Sequence, residues 1–196
     1  MNRLEILVCE NYLPDIRDSV EKAGFTDVIV SSYPCRCSRR GPPGPPLRIR
    51  GNKENDAILL CGRDCGILRE IRSENRFYKT YTSEYCFSHI ADRSLLEYIV
   101  RKGGYIISSG WLRDWRRRLA DCGFDRATAS RFYNDFASEL VYVDTNVHSD
   151  SEKDLKELSE YLTMPATSIS ISGDSLVNLM KSAVYAWRLD GLHDLK

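Results

Sequence analysis

The chain has 196 residues, 42% of them apolar and 29% charged, with 28 acidic and 28 basic side chains that cancel. That length supports one sizeable core, and zero net charge gives no long-range field to gather nucleic acid or an anionic membrane. No apolar run reaches the roughly 18 residues a membrane-spanning helix needs. The opening "MNRLEILVCENYL" breaks its short apolar patch with Glu5 and has no small-residue cleavage site, so no secretory signal is expected and the location is read as cytoplasmic.

Taken in order, "LEILVC" is a short apolar run that predicts a buried strand. Pro14 fits the first turn of a helix carrying Ile16, Val20 and Ala23 at helical spacing, and Gly24 marks its stop. "TDVIVSS" then gives a second strand, so the chain opens on a βαβ unit. Residues 38–55 are a Pro-, Gly- and Arg-rich stretch in which Pro42, Pro43, Pro45 and Pro46 forbid helix or central strand; it reads as a stiff surface loop. "DAILLC" resumes as a strand, and Asp64 is placed to cap a short helix through Ile67, Leu68 and Ile71.

"RFYKTYT" has the β-branched and aromatic character of a strand. "SHIADRSLLEYIVRKGG" is the clearest helix, with Ile90, Leu95, Leu96, Ile99 and Val100 on one face and Gly103-Gly104 at its end. "YIISS" follows as a strand, then "WLRDWRRRLADCG" and "DRATASRFYNDFASE" as two helices, "LVYVDT" as a strand, "DLKELSEYL" as a helix, "ATSISIS" as a strand and "GDSLVNLMKSAVYAW" as the last helix. Strands alternating with helices predict a single α/β domain over residues 1–196. Its mostly parallel sheet would have about six to seven strands, with helices on both faces. "ILVCENYLPDI", "ILLCGRDCGIL" and "VYVDTNVHSDSEKDL" share one plan, an apolar run, a polar or thiol residue and a turn into a helix, which is the common grammar of βα units.

Seven cysteines, an odd number with no export signal, argue for free thiols rather than a disulfide framework. Cys9, Cys35, Cys37, Cys61, Cys65 and Cys86 all fall just beyond predicted strand ends, and in a parallel sheet those ends share the edge where open α/β folds bind ligands. Gly62 allows a sharp turn off the strand and Gly66 a close approach. A helix N-terminus near Cys65, with Arg63 and Arg69 beside it, is expected to lower its pKa. Against this stands the ordinary role of cysteine as a small core residue. Cys35 and Cys37 are read as exposed beside the basic loop, and Cys122 as structural. His89, three residues from Cys86, either faces the same ligand or caps a helix. His148 falls in a polar loop. No Gly-x-Ser-x-Gly elbow, P-loop or dinucleotide fingerprint is present. Arg36, Arg39 and Arg40 form one basic cluster, and Arg113, Arg116, Arg117 and Arg118 another beside Trp111 and Trp115. With no net charge these are read as solvated faces, and no nucleic-acid or membrane partner is expected.

The order of "VCE", "AILLCGRDCG", "TSEYC", "GGYIISSGWLRDW", "VYVDT" and "ISGDSLVNLM" resembles the DUF1638 family of bacterial and archaeal proteins, over nearly the whole chain. The resemblance implies a cysteine set at Cys9, Cys65 and Cys86. Glu84 stands where that family has a histidine, and Tyr85 where it has an aspartate. It implies a cysteine-lined metal or cofactor site, with Cys61 or Glu84 completing the ligands for zinc or iron. Gly62, Gly66, Trp111 of the "GW" and Asp144 of the Asp-Thr strand end would contact a cofactor. Because members of that family occur near methyltransferase and corrinoid systems, a corrinoid-related cofactor is also implied. Three functions are therefore expected in turn. One is a domain binding a metal or small-molecule ligand. The second is a redox- or ligand-sensing regulatory module acting through a protein partner. The third is a thiol-dependent transferase with Cys65 as nucleophile. Three sulfurs on one zinc ion would each lie about 2.3 Å from it and within roughly 4 Å of one another.

Overall fold

The computed structural model describes residues 3–35, 56–70 and 79–193. The proline-rich stretch 38–55, Cys37, Ile71 and the cluster Arg36, Arg39 and Arg40 lie outside the described residues.

The described residues form seven strands, all paired in parallel, with eight α-helices. The strands expected in one sheet fall instead into two, one of four and one of three. The chain correspondingly divides into two compact units, Met1–His89 with Asp174–Lys196, and Ile90–Gly173. The break falls after a weak edge: the strand before it is short, polar and mostly exposed.

In the first unit, β1 (Leu4–Cys9) is buried at every position, which requires cover on both faces of the sheet. A 3-10 turn (Glu10–Tyr12) leads into α1 (Leu13–Lys22), which has Pro14 in its first turn and buries Ile16 and Val20. After β2 (Val28–Tyr33) come β3 (Asp56–Gly62), the short α2 (Ile67–Glu70), β4 (Lys79–Ser83) and a 3-10 turn (Cys86–His89). The sheet order is β2-β1-β3-β4. The chain therefore winds one way from β1 to β2 and the other way from β3 to β4. That reversal puts a topological switch point between β1 and β3, where parallel sheets open a crevice at their C-terminal ends. The last helix, α8 (Asp174–His193), returns to this unit and packs on α1. Trp187 Nε1 donates to Asp56 Oδ2 at 2.8 Å, and Arg188 donates to both Asp27 oxygens at 2.8 and 2.9 Å while its guanidinium lies over the Phe25 ring.

In the second unit, α3 (Arg93–Arg101) is capped by Asp92, whose carboxylate accepts from the Ser94 and Leu95 amides. Strands β5 (Gly104–Ile107), β6 (Glu139–Asp144) and β7 (Ala166–Ser170) lie in that order. The segment expected as one helix from Trp111 is two, α4 (Ser109–Arg113) and α5 (Trp115–Asp121), which meet at Asp114. α6 (Arg126–Phe136) and α7 (Ser151–Leu162) complete the crossovers. Ile107, Leu112, Trp115, Leu119, Tyr142, Leu158 and Leu162 form this unit's core, and Trp111, Tyr105 and Tyr133 meet edge to face beside it. No helix among the described residues is long and apolar enough to cross a membrane.

Candidate functional site

The registry of the first sheet assembles the site. Cys9 pairs with Tyr33 across β1 and β2. Val8 pairs with Leu60 across β1 and β3, which brings Cys61 level with Cys9 one step further on. In-register neighbours of a parallel sheet point to the same face, so Tyr33, Cys9 and Cys61 share one. The Tyr33 ring reaches from β2 past the end of β1, and its hydroxyl donates to the Leu60 carbonyl of β3 at 2.9 Å. Burial, and after it the neighbouring Cys65, Cys9, Cys61 and Cys86, hold that hydroxyl well above the usual phenol range. Four thiols thus surround one buried tyrosine at the switch point.

Beyond β3 the chain turns tightly, the Cys65 amide donating to the Gly62 carbonyl at 3.0 Å. The Leu68 and Arg69 amides then donate to the Cys65 and Gly66 carbonyls, starting α2. Gly62 is needed for its lack of a side chain. A Cβ there would lie 2.8 Å from Cys86 Sγ and 3.1 Å from the Cys86 amide nitrogen. That close approach lets the Gly62 N–H donate to Cys86 Sγ at 3.1 Å.

Cys65 and Cys86 both lie against Gly62, and the influence of each thiol on the other separates their acidities. The Cys86 thiol stays protonated and donates, holding Cys65 below the ordinary thiol value despite burial; the Ile67 amide and the Tyr33 hydroxyl act in the same direction. Tyr33 has one proton, so it serves the Leu60 carbonyl or a Cys65 thiolate in turn. Cys86 is pushed up first by Cys65, then by burial, against the Gly62 N–H. The Cys61 thiol is pushed up to about 12, first by burial and then by the charge on Cys65. The lowering expected for Cys65 is present, and the amide of Ile67, the first residue of α2, contributes to it as the helix start implies, but the largest cause is the neighbouring Cys86 thiol, which the sequence did not single out.

His89 faces backbone. Its Nε2 lies 3.2 Å from the Cys61 carbonyl and 3.1 Å from Ser83 Oγ. Because the Ser83 hydroxyl donates to the Tyr85 carbonyl, Nε2 carries the proton and shares it between the other two acceptors. Burial lowers the pKa of His89 against the raising effect of the Cys61 carbonyl, so the ring ties the ends of β3 and β4 as a neutral donor.

Glu84 lies half-buried in the turn after β4. Cys35, expected to be exposed, is half-buried: its amide donates to Glu10 Oε1 at 2.8 Å and its sulfur accepts from Asn11 Nδ2 at 3.3 Å. Cys122 is exposed. Trp111 and Asp144 belong to the second unit. There the Asp144 carboxylate accepts from the Tyr142 hydroxyl at 3.2 Å and the Asn146 amide at 2.7 Å, and Ser109 Oγ lies 3.3 Å from both Tyr142 and Thr145 hydroxyls. Of the arginine cluster, Arg116 pairs with Glu157 and lies over the buried Trp115 ring, and Arg117 pairs with Asp114 and Asp121. His148 pairs with Asp154 at 2.9 Å.

Among the described residues, no three His, Cys, Asp or Glu side chains are arranged to hold a metal ion. The cleft beside Cys65 has a volume of about 380 Å3. Sequence reasoning gave no role to Tyr33. Its signal, a tyrosine ending one strand where the neighbour ends on cysteine, becomes visible only with the strand registry.

Fold and site together define a parallel α/β unit with a buried Cys65 and a half-buried Cys86 meeting at Gly62 beyond its strand ends. No family model, no curated protein and no solved structure matches the chain, so the likeness to the DUF1638 family is carried by the quoted motifs alone.

Proposed function

We propose that the first unit is a redox-responsive dithiol domain, with Cys65 as attacking thiolate and Cys86 as resolving thiol. The observation that carries this reading is the convergence of both cysteines on Gly62, whose N–H donates to Cys86 Sγ at 3.1 Å and whose carbonyl accepts from the Cys65 amide at 3.0 Å. A disulfide needs its sulfurs at about 2.05 Å, which a movement of the Cys86 turn toward Cys65 would bring about.

The chemistry balances with a disulfide as oxidant. The Cys65 thiolate attacks one sulfur of RS–SR, forming a mixed disulfide and releasing RS−, which takes a proton. Cys86 then loses its proton and attacks the Cys65 sulfur. The Cys65–Cys86 bond forms, the second RS− leaves and is protonated, and two thiols have been exchanged for one disulfide. The Gly62 N–H stabilises negative charge on Cys86 as it attacks. Cys65 is only 9% exposed, so a small-molecule sulfur reaches it more readily than a cysteine on a folded protein. This favours a responder to the small-thiol pool, whose changed Cys86 turn is read by a protein partner.

The test is peptide mapping of the reduced chain after brief exposure to a small disulfide. The expected product is a Cys65–Cys86 crosslink, and Cys86→Ser is expected to stop at a mixed disulfide on Cys65. Oxidation appearing first at Cys9 or Cys61, with Cys65 unmodified, would overturn the reading.

A further inference from the structure

The cleft in front of Cys65 carries more information than the thiols use. Among the described residues it is lined by Arg63, Asp64, Cys65, Leu68 and Arg69. Its floor is the attacking sulfur, and its rim carries two guanidinium groups and one carboxylate, a net positive charge. Both arginine side chains are exposed, and neither makes an ion pair among the described residues. Their placement follows from the local fold. Arg63 leaves the end of β3, where its amide donates to the Ser83 carbonyl at 2.7 Å, and Arg69 lies in α2, its amide bonded to the Gly66 carbonyl at 3.0 Å. Two planar forks lining the same cleft as a reactive sulfur suit carboxylates carried a few bonds from the reacting atom. Leu68 supplies an apolar wall. A volume of about 380 Å3 lies at the small end of small-molecule clefts.

Resting on the dithiol reading above, we propose that the oxidant exchanged at Cys65 is an anionic low-molecular-weight disulfide, with a carboxylate of the incoming molecule held by Arg63 and Arg69. The chemistry is the exchange already balanced, RS being a carboxylate-bearing thiolate. The arginines orient the attacked sulfur over Cys65 and raise the local concentration of the anion. The released thiol leaves with its carboxylate still on the guanidinium pair.

The experiment uses the reduced full chain and three probes of graded charge, glutathione disulfide (anionic), hydroxyethyl disulfide (neutral) and cystamine (cationic). The readout is the rate of Cys65–Cys86 crosslinking, each rate divided by that of a free thiol in solution. The expected order is anionic, neutral, cationic. Electrostatic steering gives about a tenfold span at low ionic strength, compressed by added salt. The double variant Arg63→Gln, Arg69→Gln is expected to flatten the order. Equal corrected rates for all three probes would overturn the substrate inference and leave the dithiol reading standing. Failure of every probe to produce the crosslink would overturn both. The charge order and its salt dependence are read on the unaltered chain, so the inference is decided even if the double variant does not fold.

Discussion

The two sheets end in different chemistry on the same plan. In the first unit the strand ends carry Cys9, Cys61 and Tyr33, with Cys65 and Cys86 in the turns beyond. In the second, β6 ends on Tyr142, Val143 and Asp144, and its tyrosine bonds to that carboxylate while Ser109 bridges to Thr145. Each edge places a buried tyrosine hydroxyl among polar side chains. Oxygen groups at such an edge complete one another's hydrogen bonds and lower the energy of a fixed arrangement. Sulfur groups in the same position make weaker hydrogen bonds and retain a further option, a covalent bond between them. Exchanging oxygen for sulfur on one backbone plan therefore turns a structural network into a reactive one.

The largest effect that sharpens this contrast is on reactivity. Cys86→Ala removes the main donor to Cys65 and is expected to slow its alkylation below the ordinary thiol pKa by about tenfold, the equivalent of one pKa unit. Asp144→Ala, the counterpart at the other edge, is expected to leave that rate unchanged. Alkylation followed by mass spectrometry checks both, and an unaffected rate in Cys86→Ala would break the comparison. In the same experiment the wild-type pH profile should show a midpoint below the free-thiol value of about 8.5, because hydrogen bonds to the sulfur favour its charged form.

Stability comes next. Gly62→Ala forces a Cβ onto Cys86 and its backbone, an overpacking of about 1–3 kcal/mol in urea unfolding. Gly104→Ala forces one against the Ile99 side chain, 2.5 Å away, with a similar cost. Only the first substitution should also impair crosslinking of Cys65 to Cys86. Tyr33→Phe deletes the hydrogen bond to the Leu60 carbonyl and Tyr142→Phe those to Asp144 and Ser109, each bond worth about 0.5–1.5 kcal/mol, and only Tyr33→Phe should raise the alkylation midpoint of Cys65.

The smallest expected effect is a pH dependence of stability. Cys61 has its folded pKa raised to about 12, so its neutral form is the one the fold favours. Its contribution is complete below the unfolded thiol value, about 8.5, and is lost as pH rises from there through the folded value. Cys65 runs the other way: its folded pKa is depressed, so its contribution is present above the unfolded value and lost as pH falls through the folded one. Cys61→Ala should flatten the alkaline limb of melting temperature against pH and leave the lower limb in place.

Much of this architecture is legible in the amino-acid order. Leu4–Cys9 and Asp56–Gly62 read as buried strands because their apolar runs are nearly unbroken, and α3 reads from its helical spacing and the Gly103-Gly104 that ends it. Strand pairing is less legible. Alternating βα units do not specify which strands share hydrogen bonds, and the polar β4 followed by the four-residue β5 ended one sheet and began another. The spacing of Trp111 and Trp115 reads as one helical face, yet the backbone changes conformation between them at Asp114. At the site, the placement of thiols at strand ends was readable from the sequence. Which two cysteines converge was not, because Cys65 and Cys86 meet at Gly62 only through a turn beyond β3 that follows from Gly62 having no side chain.

The return of α8 to the first unit sets an order of assembly. Residues 90–173 are continuous and contain all they need for their own sheet, whereas the earlier strands lack their closing helix until residues 174–193 have been made. During vectorial synthesis the middle of the chain can finish while its beginning waits. Throughout that interval Asp56 and Asp27 await Trp187 and Arg188, so the segment bearing most of the cysteines is the last to be sealed.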